Sequence, residues 1–175
     1  EAIPLPTLQQ LASNWARQRA GDLLRLDGSS SMAAATRERV RELTAETITE
    51  GQGLGTLSKK LREDLMFSRA RAERVARTET ATALGRGGKD LAILQGQDEK
   101  LLVTLGDEAV DQAGICRDNS AQGWIGVSDL FQSGHDTVPG HVNCRCVNSY
   151  RTSETASAQR SIDRRCKCGK YLGRN

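Results

Sequence analysis

The stretch "SRARAERVARTETATALGRGGKDLAILQGQDEKLLVTL", residues 68–105, passes from one kind of secondary structure to another. In its first part Ala72, Val75, Ala76 and Ala83 recur at helical spacing, which predicts a helix from near Ser68 to at least Leu84. Continuation to Leu94 has to pass Gly85, Gly87 and Gly88, each a weak helix former. Beyond Gly96 the helical period stops, and "KLLVTL" (100–105) predicts a strand. Upstream everything reads as helix; downstream the pieces are short and apolar. The expected fold is therefore α+β: N-terminal helices followed by a small β unit.

Three more helices are expected before this stretch. One starts at Thr7 with Leu8, Leu11, Ala12 and Trp15 on a stripe, resuming at Leu23 and Leu26. A break at Asp27-Gly28 precedes three serines, one of which should cap the next helix. That helix runs to about Glu50 and buries Val40, Leu43, Thr47 and Ile48. Gly51, Gly53 and Gly55 connect it to a short helix, capped by Thr56 and carrying Leu57, Leu61 and Leu65. Downstream, "GWIGV" and "LF" are short apolar pieces in Gly-, Ser- and Asp-rich text, and "CRCVNSYR" (144–151) reads as a closing strand. The divisions are thus a helical region over 1–96, a β unit over 97–151, and a linker with a basic tail over 152–175.

Aromatics make up only 3% of the chain, which favours thin helix packing over a β-sandwich. Charge is unevenly spread. Residues 59–89 hold nine Lys/Arg against four Asp/Glu, residues 90–118 two against seven, and residues 160–175 six against one. Such blocks suit a polyanion or an oppositely charged partner, although a solvated helix face produces them too. The basic stretch lacks aromatics, so contact with nucleic acid would be with phosphates rather than stacked bases. No apolar run is long enough for a membrane span, and no signal peptide is visible. The chain begins without Met and stops just after a cysteine pair, which suggests a piece of something longer.

Two side-chain groups carry chemistry. Glu79 lies within the apolar stripe, four residues from both Val75 and Ala83. A carboxylate on a buried face needs a partner, because unpaired burial costs several kcal/mol. Arg77 is the expected ion-pair partner, with Arg74, Arg86 or a backbone group of another element as alternatives. The second group is "PGHVNCRC" (139–146) together with Cys116. Cys116, His141, Cys144 and Cys146 match zinc in number and type. Against this, Cys144 and Cys146 would stand about 7 Å apart in an extended strand unless the chain turns sharply. His135 or Asp118 is the substitute for a missing fourth ligand. Unligated thiols, or a Cys116–Cys144 or Cys116–Cys146 disulfide, remain open. The close C-R-C and C-K-C pairs favour metal or free thiols and a reducing cytoplasm as the place of synthesis. No catalytic residues are assigned: a Cys–His nucleophile lacks an orienting acid, an oxyanion hole and a helix start at the cysteine.

The order of these elements resembles the phage Mu F-like head morphogenesis family. The matching features are Arg77-Thr78-Glu79 on a helix, Gly123 before a short apolar strand, Phe131 with Gly134, and Pro139-x-His141-x-x-Cys144-Arg145-Cys146. The resemblance covers about residues 35–150. Two departures stand out: Val142 where relatives often have Pro, and Asn119 where many have a second Cys or His. The terminal "RRCKCGKYLGRN" resembles the opening half of a Mu Com-like zinc finger. The resemblance implies a non-enzymatic minor capsid protein, made in the host bacterial cytoplasm and carried in the virion, in the capsid interior or at the portal vertex. It also implies portal or other capsid proteins as partners, a part in assembly or DNA delivery, DNA contact through phosphates, no membrane and no small-molecule substrate. The alternative is a zinc-dependent nucleic-acid-binding regulatory module.

Overall fold

The computed structural model describes residues 6–22, 24, 30–104 and 114–154. Five helices and three strands follow in chain order: α1 (Leu8–Arg19), α2 (Ser30–Thr49), α3 (Leu54–Leu65), α4 (Arg69–Leu94), β1 (Glu99–Val103), α5 (Ile115–Ala121), β2 (Ile125–Gly126) and β3 (Val147–Arg151). The strands form an antiparallel sheet in the order β2-β1-β3, with Lys100 opposite Tyr150 and Leu102 opposite Asn148. The fold is α+β, as the sequence indicates.

Local signals explain most boundaries. Thr7 and Gln10 form a reciprocal capping box at the start of α1, and Ser68 accepts from the Arg71 N–H at the start of α4. Thr56 does not cap α3. Its cap is Gly53, three residues earlier, which has extended backbone and no side-chain capping bond, so the helix begins at Leu54. The expected resumption of helix through Leu23 and Leu26, the serine cap before α2, and the terminal cysteine motif all lie outside the described residues.

α4 continues through its three glycines to Leu94, and packing explains how it can. A Cβ at Gly87 would lie 2.6 Å from the Ala12 nitrogen, and one at Gly85 would lie 2.3 Å from the Val138 carbonyl oxygen. The two glycines let α1 and the loop before β3 approach the α4 backbone itself. What they lose in helix propensity is offset by this contact. Around α4 sit two helical clusters. One gathers Val40, Leu43, Leu57, Leu61, Ala72, Val75 and Ala76, and the other joins α1 alanines to Ala45, Ile48 and Ala83. A third cluster belongs to the β unit: Leu102, Cys116, Phe131, Val138, Cys144 and Cys146. Among the described residues no helix is long and apolar enough to cross a membrane.

Candidate metal centre

The middle of α4 is the rail to which the loop before β3 is fastened. Arg77 Nη1 donates to Asn143 Oδ1 at 2.6 Å, the Asn143 N–H donates to Thr78 Oγ1, and Thr137 Oγ1 donates to the Gly85 carbonyl. Asn143 has a left-handed φ of 66°, and the Cys144 N–H reaches back to the His141 carbonyl. The chain therefore turns just before the cysteines. Cys144 and Cys146 precede β3, which starts at Val147 rather than at residue 144. The strand spacing that would have kept their thiols apart does not apply.

Cys116, Cys144 and Cys146 are all buried, and their sulfurs lie within 4.8 Å of one another. The Cys116 and Cys144 sulfurs are 3.7 Å apart, far beyond the length of a disulfide, and all three cysteines are free. Tetrahedral bonds of about 2.3 Å from one zinc ion would hold neighbouring thiolates at about this separation. Three soft sulfurs in an apolar pocket thus fit a thiophilic metal ion. His141 is not part of the group: its Nδ1 lies 2.9 Å from the Val142 carbonyl oxygen, an adjacent backbone group that captures the ring. His135 is engaged elsewhere, with Nδ1 2.8 Å from Ser133 Oγ. The predicted set of four is gathered only as three.

Asn119 is fully buried on α5. Its Nδ2 donates to Ser133 Oγ at 2.8 Å and its Oδ1 accepts the Ser133 N–H at 3.2 Å. Its amide fastens the loop after β2. Cys116 is the second residue of α5, a helix that the Gly- and Asp-rich text conceals. Burial, followed by hydrogen bonding with Cys146 and Cys144, pushes the Cys116 thiol well above the ordinary thiol range. A thiol held so firmly is a poor nucleophile, despite its place at a helix start.

Sequence reasoning missed the site's other half. Asp136 receives Arg86 Nη1 at 2.6 Å, Lys89 Nζ at 2.5 Å and Lys100 Nζ at 3.3 Å, while Lys100 also donates to the Asp136 carbonyl at 2.6 Å. Lys100 is wholly buried, 5.0 Å from the centre of the Phe131 ring. A lysine leading directly into the apolar run of Leu101, Leu102 and Val103 is the signal that could have exposed this hub.

Glu79 is buried, at 7% exposure, and accepts the Gly21 N–H at 2.9 Å. The Arg77–Glu79 ion pair is replaced by this backbone contact. Residues two apart on a helix point to different faces, so Arg77 turns to Asn143 instead. Burial first, and nearby Asp22 after the opposing Gly21 bond, raise the Glu79 carboxyl above its usual range. A raised acid holds its proton longer folded than unfolded, so its contribution falls as pH rises from about 4.5 through the folded value. Glu79→Ala is expected to cost about 1–3 kcal/mol, because the Gly21 N–H is left without a partner. Glu79→Gln, which keeps an acceptor and removes the titration, should unfold near the parent's urea midpoint and flatten the pH dependence. An alanine variant as stable as the parent would refute the role.

Fold and site together define a small α+β protein whose β unit is fastened to a long helix by Asn143 on one side and the Asp136 charge cluster on the other, while three cysteines join α5 to the loop before β3. The chain belongs to the Phage Mu protein F like family, whose model matches residues 38–149, more than half of its length. It is thus a phage head-related protein, of a structural type, and its place is with the virion. Neither a curated protein nor a solved structure matches it.

Proposed function

We propose that the chain is a minor capsid protein that works as a structural connector at the portal or inner capsid surface, with zinc as the ion of its three-cysteine centre. The observation that supports this best is the extent of the family match. Residues 38–149 run from α2 through α4 to β3, so the matched unit comprises helical frame, cysteines and the Asp136 hub together. The cysteines are buried, and the cations of the hub are directed at one carboxylate. Zinc would be held by Cys116, Cys144 and Cys146, and it would tie α5 to the loop before β3. The fourth position falls to His141 after rotation away from Val142, or to water. A Cβ at the preceding Gly140 would already lie 3.9 Å from the Cys116 sulfur.

Contact with packaged DNA is a smaller part of this proposal. Within the basic stretch Lys59, Lys60, Arg69, Arg86 and Lys89 each meet a carboxylate of the chain itself. The charge remaining for phosphates is modest. Binding to duplex DNA should be sequence-blind and lose affinity steeply with salt, with a log–log slope of about −0.9 for each phosphate neutralised. Fluorescence titration over a salt series measures this. A flat salt response, or preference for one sequence, would point to the regulatory alternative. Co-purification of the tagged chain with portal protein tests the connector role directly, and failure to retain portal from infected cells would count against it.

A further inference from the structure

A groove of about 630 Å³ runs between α4 and β3, with Leu84 and Leu91 on one wall and Val147 and Tyr150 on the other. Leu8 and Leu54 also line it. Four of these side chains are substantially exposed: Leu8 at 39%, Leu54 at 41%, Leu84 at 39% and Val147 at 56%. Single exposed apolar residues are ordinary, but four around one groove form a patch of the kind that marks an interaction site.

The geometry of β3 determines what fits. In the order β2-β1-β3 it is an edge strand, and among the described residues it pairs with β1 alone. Val147 alternates with Asn148 and Tyr150, so their side chains point to opposite faces of the sheet, yet all three line the groove. A groove reached from both faces runs along the strand's outer edge, where backbone donors and acceptors point away from β1. Among the described residues, the charged ones lining it are Arg77 and Arg145.

We infer that this edge is a β-augmentation site, which takes an extended segment of a partner head protein as a fourth strand. The segment adds main-chain hydrogen bonds to β3 and places alternate apolar side chains against Leu84 and Leu91. Its acidic residues face Arg77 and Arg145, as charge complementarity requires. A second copy of the chain is a poorer occupant, because pairing β3 with itself would bring an arginine-bearing edge against an arginine-bearing edge. The inference deepens the connector reading by naming how a partner docks, and it does not depend on the metal.

The test is selection of a displayed library of short random peptides on the whole folded chain, followed by amide exchange with the most enriched peptide bound. Enriched sequences should alternate apolar and polar residues and carry an acid, and the bound peptide should protect amides within 147–151. Leu84→Glu and Val147→Lys change exposed positions and should leave the unfolding temperature unaltered while weakening binding at least about tenfold. Leu130→Glu, at a residue 60% exposed and outside the groove, should not change binding. Four results overturn the proposal: no enrichment, helical spacing in the enriched set, equal binding by Leu84→Glu, or protection confined to self-association of the chain. Because the readout is peptide binding, its failure leaves the head assignment standing.

Discussion

Asp136→Ala should be among the most destabilising single substitutions in the chain, at about 3–5 kcal/mol by urea unfolding. The cost comes from what remains. Lys100 is fully buried in β1, and without the carboxylate its ammonium is left with the residue 136 carbonyl, the Phe131 ring and the weaker pull of the Asp129 charge. Burial pushes the Lys100 pKa down, against the opposing pull of Asp136, so the folded protein binds its proton less tightly than the unfolded chain does. Removing Asp136 strengthens that effect, and the variant should regain stability as pH rises toward 10.5, the lysine's ordinary value. In the parent, burial tends to raise the Asp136 carboxyl, but hydrogen bonds from Lys89 and Lys100 outweigh this and hold it below its usual range. Stability from that depression is fully present above about pH 3.8 and is lost as pH falls through the folded value. A variant within about 1 kcal/mol of the parent, or one with no alkaline recovery, would show the hub to be an ordinary surface cluster.

The second large effect concerns the cysteines. Protein purified under reducing conditions should carry about one zinc per chain by metal analysis. Cys116→Ser should lose it, together with amide protection in β1 and β3, because the site joins α5 to the loop that feeds β3. Structural zinc contributes on the order of 10 kcal/mol or more to small metallo-domains, so chelation should unfold the β unit before the helices. Metal-free protein with an intact β unit would leave the thiols as packing residues of the cluster around Phe131. His141→Ala separates the two fourth-ligand options: unchanged zinc content favours water, and loss favours the rotated imidazole.

Much of the frame was legible because α4 obeys helical periodicity, and because Val40, Leu43, Thr47 and Ile48 all turn inward as a single face. Its glycines were harder to read. Propensity alone ends the helix near Leu84, and only the approach of Ala12 and Val138 explains continuation. The burial of Glu79 followed from its neighbours at four-residue spacing, but its partner, Gly21, is 58 residues distant and offers only a backbone group. The cysteines were visible as residue types, and three of them do converge. The neighbouring backbone that holds His141 cannot be read from spacing. Asp136 was invisible, since an aspartate in polar text is normally solvated, and α5 was concealed by similar text.

The measurement that tests the central claim most directly is quantitative mass spectrometry of gradient-purified phage heads. The account predicts this chain within the heads, at far lower copy than the major shell protein, and retained after the surface is stripped with salt. Its absence from finished heads, while it is abundant in the lysate that produced them, would contradict the account.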